Sequence, residues 1–364
     1  MAEVGVILFG LFVLAACCYL LFIVSEPLEK VGGRIGRLLF LPEEVVASTF
    51  QALATSGPEI IMAVMVAIPA VAGGMWSVMS SGEGASSGTL NMLFSAMDNL
   101  LGIGCVAMVF MIKMKKVEPD AAVPTKPSTT IGLLFYILAS GALAYFLLDS
   151  KLCPSEAWFL MYVGIAFVAA QFIIPPLLSK FWPDNSADDG EEVDDDELPK
   201  LRSEPKKWGC CLFNNALVYT FLVFGLIVLV RECVGATFSM ASTGIASVAG
   251  VLLMFTSYVS SFPEFMMAFR YTIYNKQTAL LGMLFGSNVI DLAFAGFRSI
   301  WVGEDLEVYT TGKFPQLLIA YVWTIPIVAL LVLLGLLTKR FKWKYSYPLT
   351  LFYLFYIVSG FILL

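Results

Sequence analysis

Ten stretches of this chain are apolar over close to the roughly 20 residues a helix needs to cross a bilayer. They lie at about 4–24, 45–72, 90–112, 131–148, 158–181, 211–230, 238–269, 279–297, 316–337 and 346–364. Between them little is left with which to build a water-facing surface. Hydrophobic residues make up 59% of the 364 and charged residues 14%, where a globular domain is about half apolar and a quarter charged. The lipid bilayer therefore has to be the solvent, which excludes soluble enzymes, nucleic-acid binders and secreted disulfide scaffolds. The chain has no histidine, so it lacks the usual metal ligand and the usual physiological proton switch. Its seven cysteines show no C-x-x-C spacing; Cys17, Cys18, Cys105, Cys210 and Cys211 lie in or beside apolar stretches, where thiols act as small hydrophobes.

The loops test the count. With the N-terminus outside and all ten stretches crossing, eighteen of the 22 Lys and Arg fall on the cytoplasmic side, and only Lys151, Arg231, Arg298 and Lys313 fall outside. Basic residues separate this cleanly when no span has been missed. The reading is an all-α membrane protein of ten transmembrane helices with both termini extracytoplasmic. Leu14-Ala15-Ala16-Cys17 looks like a lipoprotein cleavage site. The segment before it, however, carries no Lys or Arg and its apolar run is long for a signal peptide, so a retained helix is expected. The second and seventh stretches are too long for perpendicular spans, and both contain Pro and a carboxylate, a pattern of tilted or broken transporter helices.

Residues 182–208 form an acidic cytoplasmic linker holding the run Asp188 to Glu197, read as a solvated connector. It divides the chain into five spans (1–181) and five more (209–364). Two segments look alike across it. ALATSGPEIIMAV (Ala52 to Val64) is followed by LNMLFSAMDNLLGI (Leu90 to Ile103); SYVSSFPEFMMAF (Ser257 to Phe269) is followed by LGMLFGSNVIDLAF (Leu281 to Phe294). These repeats, at about 45–112 and 238–297, are five spans apart. An odd number makes them face opposite ways, which gives two inverted-topology five-helix repeats of the kind that place an ion site at the bilayer midplane.

The chemistry of the repeats points to cations. Glu59, Asp98, Glu264 and Asp291 all lie inside apolar spans with no Lys, Arg or His in the same span. A carboxylate at a helix centre costs roughly 2.5–3.5 kcal/mol, so a bound cation is the simplest source of the missing charge. Thr55 and Ser56 precede Glu59 by four and three residues and share its helical face; Ser260 and Ser261 flank Glu264 in the same way. Pro58 and Pro263 lack an N–H, which frees the carbonyls of Ala54 and Val259. Ser95 and Asn99 are four apart on one face, as are Ser287 and Asp291. Hydroxyl, amide, carboxylate and carbonyl oxygens form a hard ligand set that suits Ca²⁺ and Na⁺. A lone Ser or Pro in a membrane helix more often packs or kinks it; the repetition of the whole pattern outweighs that reading.

These motifs resemble the α-repeats of the calcium/cation antiporter superfamily, the sodium/calcium exchangers, which carry G-T/S-S-x-P-E and G-S-N-x-x-N/D in each copy. EEVVASTFQALATSGPEI (Glu43 to Ile60), Phe94-Ser95-Ala96 and GSNVIDL (Gly286 to Leu292) look closest to the potassium-dependent branch. The resemblance implies a Na⁺/Ca²⁺ antiporter, with K⁺ co-transport in that branch, working by alternating access as the first and sixth helices slide over the rest. It implies Glu59 and Glu264 as central Ca²⁺ ligands, Asn99 and Asp291 completing the set, and Thr55, Ser56, Ser95, Ser260, Ser261 and Ser287 forming flanking Na⁺ sites. Asp98 is additional to the family pattern, and three roles stay open for it: a further ligand, a K⁺ site or a proton acceptor. Val259, Met283 and Phe94 replace the family's usual residues, and the first repeat is enlarged by a Gly/Ser-rich loop at Ser80 to Gly88. An H⁺-coupled exchanger of Ca²⁺ or another divalent ion is the alternative within the fold. A cation channel is a further rival, as is an intramembrane aspartyl protease using Asp98 and Asp291, although the latter's G-x-G-D signature is absent. The expected partners are the transported ions and the bilayer, with no cofactor, no nucleic acid and no enzymatic reaction.

Overall fold

The computed structural model describes residues 2–67, 92–93, 95–96, 98–178, 205–240, 257, 259–307 and 314–363. Nearly all of these are helical. In chain order the elements are α1 (Ala2–Leu38), α2 (Glu43–Val46), a π-helical turn π1 (Ala47–Gln51), α3 (Ala52–Thr55), α4 (Gly57–Ala67), a second π segment π2 (Asp98–Gly104), and α5 (Cys105–Lys113). There follow α6 (Pro127–Phe146), strand β1 (Lys151–Leu152), α7 (Pro154–Leu178), α8 (Pro205–Met240), α9 (Phe262–Ile273), α10 (Gln277–Phe294), α11 (Phe297–Val302), strand β2 (Leu306–Glu307), α12 (Phe314–Leu337) and α13 (Ser346–Leu363). Proline opens α6, α7 and α8, at the one position where its missing N–H costs a helix nothing. Four helices among the described residues are long and apolar enough to cross a membrane: Pro127–Asp149, Pro154–Pro175, Lys207–Leu229 and Gln277–Val302, with Val322–Leu337 a shorter apolar helix.

Two expectations shift. The first helix does not stop near residue 24 but continues to Leu38. The added turns are polar, and they stay helical because their charges are paired. Arg270 of α9 donates from Nε to Glu29 at 2.9 Å and from Nη1 to Glu26 at 3.4 Å, while Lys276 reaches Glu29 at 3.1 Å and Glu43 at 2.8 Å. Glu29 and Arg270 are both buried, so each is the other's replacement for water. Residues 205–208, read as the end of the linker, form the first turn of α8; the remainder of the linker and the Ser80 to Gly88 loop lie outside the described residues.

The centre of the molecule is α10, buried from Thr278 to Ala293. It packs against π1, α2 and α3 on one side and against α6, α7 and α9 on others. Close approach is set by a G-x-x-x-G pair. A Cβ added at Gly286 would stand 2.1 Å from the Ser48 carbonyl oxygen, and one at Gly282 2.9 Å from that of Glu44, so the two backbones touch there. By contrast, α8 is little buried between Lys207 and Leu229 and packs chiefly on α1. Leu21, Leu28, Ala54 and Leu226 form a small core of their own between that pair and α3.

Short connections tie the ends. Phe40, Lys115, Asn275 and Lys339 adopt positive φ values of 54–59°. Each is followed by an N–H bonded to the carbonyl five residues back, from Leu41, Lys116, Lys276 and Arg340, at 2.8–2.9 Å, which is the Schellman helix stop. At the same end as the start of α6, the loops after α5 and α12 clasp through the Ala122–Lys342 bridge, with Lys344 donating to Asp120 at 2.6 Å. That hydrogen bond and the lysine's charge hold the Asp120 carboxyl below its ordinary value. At the opposite end β1 and β2 pair antiparallel, Lys151 with Glu307 and Leu152 with Leu306.

Candidate functional site

The site is built by two helix breaks of nearly the same geometry. At Ser56 the backbone turns through φ −76°, ψ −1°, and at Ser261 through φ −80°, ψ 7°. Each serine stands two residues before a proline that withholds its N–H from the ladder. The surrounding bonds match as well: Ser56 N to Ala52 O and Ser261 N to Ser257 O are both 2.9 Å. Thr55 and Ser260 turn their hydroxyls back to the same two carbonyls, Ala52 at 3.2 Å and Ser257 at 3.0 Å. Past each break a new helix begins, α4 or α9, with its glutamate in the first turn, where backbone N–H groups and the helix dipole favour negative charge.

The side chains then interlock in matched pairs across the two halves. Ser56 Oγ lies 2.7 Å from Ser287 Oγ, and Ser261 Oγ lies 2.7 Å from Ser95 Oγ. Ser287 donates to Glu264 Oε1 at 2.9 Å; Ser95 lies 3.2 Å from Glu59 Oε1. Asn99 and Asp291 meet in the middle: Asn99 Nδ2 donates to Asp291 Oδ2 at 3.4 Å and to Ser287 Oγ at 3.4 Å, and Ser95 is 3.2 Å from the same Asp291 oxygen. Thr55 also faces Glu264, and Ser260 faces Glu59. Glu59, Glu264, Asp291, Asn99, Ser95 and Ser287 are all at zero exposure.

This hydrogen bonding leaves a distinctive remainder. Glu59 Oε2, Glu264 Oε2, Asp291 Oδ1 and Asn99 Oδ1 are buried with no hydrogen-bond partner. One oxygen of each carboxylate is thus held by a hydroxyl or amide and the other is free, while the single side-chain oxygen of Asn99 is free and its Nδ2 is the group engaged. Among the described residues no Lys or Arg pairs with the three carboxylates. Among the described residues no three or more His, Cys, Asp or Glu side chains converge into a compact metal centre. Buried acceptors left unmade cost free energy, and a cation coordinated by any of them lowers that cost.

Of the residues singled out in the sequence, the structure brings Glu59, Glu264, Asp291, Asn99, Ser56, Ser95, Ser261 and Ser287 into one hydrogen-bonded cluster, with Thr55 and Ser260 at its edge. Asp98 lies beside the cluster and not in it. Its Oδ2 accepts from Ser257 at 2.7 Å and its Oδ1 from Tyr353 of α13 at 2.9 Å. Sequence reasoning missed three residues. Ser257 and Tyr353 are the partners of Asp98. Asn288 is buried with both amide atoms unpartnered; its place directly after Ser287, within the quoted G-S-N, was the signal available.

No family model matches the sequence, and no curated protein does. Solved structures do. The sodium-calcium exchanger NCX_Mj, soaked with 2.5 mM Na⁺ and 1 mM Sr²⁺, superposes with a TM-score of 0.63 at 18% identity, over 98% of each chain. The same exchanger soaked with 2.5 mM Na⁺ and 10 mM Sr²⁺ gives 0.64 at 17%, again over 98% of each chain. The chain shares its fold with NCX_Mj. The likeness runs nearly end to end in both chains, so it covers the elements that carry the two breaks as well as the outer pair α1 and α8.

Proposed function

We propose that the chain is a ten-span secondary antiporter that exchanges Na⁺ for Ca²⁺ at a midplane site, with K⁺ co-transport as the refinement suggested by its motifs. The observation that carries this reading is the set of four buried, unpartnered oxygens on Glu59, Asn99, Glu264 and Asp291. Three carboxylates and an amide, backed by the hydroxyls of Thr55, Ser56, Ser95, Ser260, Ser261 and Ser287, make the hard oxygen set that Ca²⁺ and Na⁺ accept. The equivalence of Ser56 to Ser261, Ser95 to Ser287 and Glu59 to Glu264 supports two inverted five-helix units, residues 1–181 and 209–364, joined by the acidic linker.

The mechanism is competitive occupancy. One Ca²⁺ or several Na⁺ neutralise the same carboxylates, and only a charge-compensated site is occluded and moved across the membrane at low cost. The structures of similar fold are of an exchanger described in terms of ion exchange and binding-site occlusion, which agrees with this scheme. The test is radiocalcium uptake into proteoliposomes preloaded with Na⁺, with and without external K⁺. Uptake that needs internal Na⁺ is expected, and it should be lost in Glu59→Gln and Glu264→Gln while both proteins remain folded and inserted. Stimulation by K⁺ would add the potassium-dependent refinement. Uptake driven by a pH gradient instead of Na⁺ would replace the coupling ion, and normal exchange by both variants would remove the site assignment.

A further inference from the structure

Asp98 differs from the other intramembrane carboxylates in one respect that decides its role. Glu59, Glu264 and Asp291 each keep an oxygen without a partner, while Asp98 keeps none: Oδ2 is taken by Ser257 at 2.7 Å and Oδ1 by Tyr353 at 2.9 Å. Each Asp98 oxygen already accepts a hydroxyl from another part of the chain, whereas each of the other three carboxylates keeps one oxygen with no partner. Those two hydroxyls come from far apart in the chain. Tyr353 belongs to α13, and Ser257 lies on the approach to the second helix break, where its carbonyl receives both Ser261 N and Ser260 Oγ. Asp98 itself is the first residue of π2 and immediately precedes Asn99. Its carboxylate therefore fastens three elements at one point beside the site.

A second observation shows that the approach of Tyr353 is built in. A Cβ placed on Gly102 would stand 2.5 Å from Tyr353 Cζ and 2.6 Å from its hydroxyl oxygen. Gly102 lies four residues after Asp98 in π2, so the missing side chain opens the path by which the phenol reaches the carboxylate. Tyr353 is buried there, and a buried phenol needs a partner for its hydroxyl. Tyrosine, glycine and aspartate thus form a matched set.

We infer that Asp98 is a positioning residue, not an ion ligand or charge carrier: it clamps α13 and the Ser257 end of the second break onto π2, and so sets where Asn99 and Ser261 stand. The inference rests on the exchanger reading for its transport consequences, but the clamp itself is a matter of hydrogen bonding. An asparagine at 98 has the same shape and can hold both hydroxyls, because each hydroxyl can accept as well as donate. It has no charge. The substitution therefore separates the two roles.

The experiment compares Asp98→Asn, Asp98→Ala, Tyr353→Phe and the double variant Asp98→Ala/Tyr353→Phe in the full chain. It reads thermal unfolding midpoints in detergent together with the KM for Ca²⁺ and the maximal rate of Na⁺-dependent uptake in proteoliposomes. As a clamp, Asp98→Asn keeps the KM within about threefold of the parent. Asp98→Ala and Tyr353→Phe each lower the midpoint and raise the KM, and the double variant is no worse than Asp98→Ala, since both changes cut the same bond. An Asp98→Asn variant as impaired in transport as Asp98→Ala, with a parental midpoint, would overturn the inference and make Asp98 a charged participant. Additive midpoint losses in the double variant would also overturn it. If the parent itself showed no Na⁺-dependent uptake, the exchanger reading would fall, and the midpoints alone would still decide whether the clamp exists.

Discussion

Ser95 and Ser287 occupy equivalent places in the two halves of the site, each touching the opposite half's break serine and its own half's glutamate. A hydrogen bond to a charged group contributes about 1.5–3 kcal/mol. Ser95→Ala and Ser287→Ala should therefore each weaken apparent Ca²⁺ affinity by about tenfold to a hundredfold, and to a similar degree. Concentration dependence of uptake in proteoliposomes measures this, and an effect confined to one serine would break the equivalence. Most of these residues were legible in the sequence because their logic is local. A hydroxyl three or four residues before a carboxylate shares its face, and a proline two residues after a serine breaks the helix there. What was not legible depends on distant encounters. The bond from Tyr353 to Asp98 joins residues 255 apart and needs the gap at Gly102, so nothing near either residue announces it.

At the scale of elements, the position of α10 against π1 is fixed by backbone contact, and Gly286 is the residue that permits it. With a Cβ at 286 only 2.1 Å from the Ser48 carbonyl oxygen, the obstacle is main chain and cannot rotate away. Gly286→Ala should cost roughly 1–3 kcal/mol or more as the helices part, and it should disturb Ser287 in the next position. Gly225→Ala is the control, because α8 leaves that position open and alanine is the better helix former. A lowered thermal midpoint for the first variant and an unchanged or raised one for the second are expected; equal behaviour would mean that the contact has no energetic weight. The sequence gives no hint that the second span contains a π turn just where Gly286 presses on it. The end of the first helix was also harder to read than its start. The charges at Glu26, Glu29 and Lys30 look like a loop in sequence, and only the partners of Glu26 and Glu29 on α9 and the loop after it, with Lys30 bonded back to Glu26, show why the helix continues through them.

The whole molecule divides into an outer pair, α1 with α8, and a central group built around α10 that holds the site. At about 1.5 Å per residue, the 37 residues of α1 and 36 of α8 are about 55 Å long, against a hydrocarbon core of about 30 Å. The excess is polar helix beyond the apolar stretches 4–24 and 211–230, and a pair that meets the centre through a small core at Ala54 is a body that can slide over it. In this conformation the two bodies are tied near the polar end of α1. Glu29 and Glu26 hold Arg270, Tyr219 of α8 donates to the carbonyl of Phe50 in π1, and Gln51 donates to the carbonyl of Glu29. If sliding of the outer pair is the alternating-access step, a covalent tie within the pair should be harmless and one between the bodies should stop transport. In a background stripped of the native cysteines, Leu38→Cys/Trp208→Cys links α1 to α8, where the indole already donates to the Leu38 carbonyl at 3.2 Å. Glu29→Cys/Arg270→Cys links α1 to α9. After treatment with a short bifunctional thiol reagent, the first pair should retain Na⁺-dependent Ca²⁺ uptake and the second should lose it, with recovery when a cleavable reagent is reduced. Full uptake by the cross-linked second pair would show that α1 and α9 move together, and the moving body would then have to be sought elsewhere in the fold.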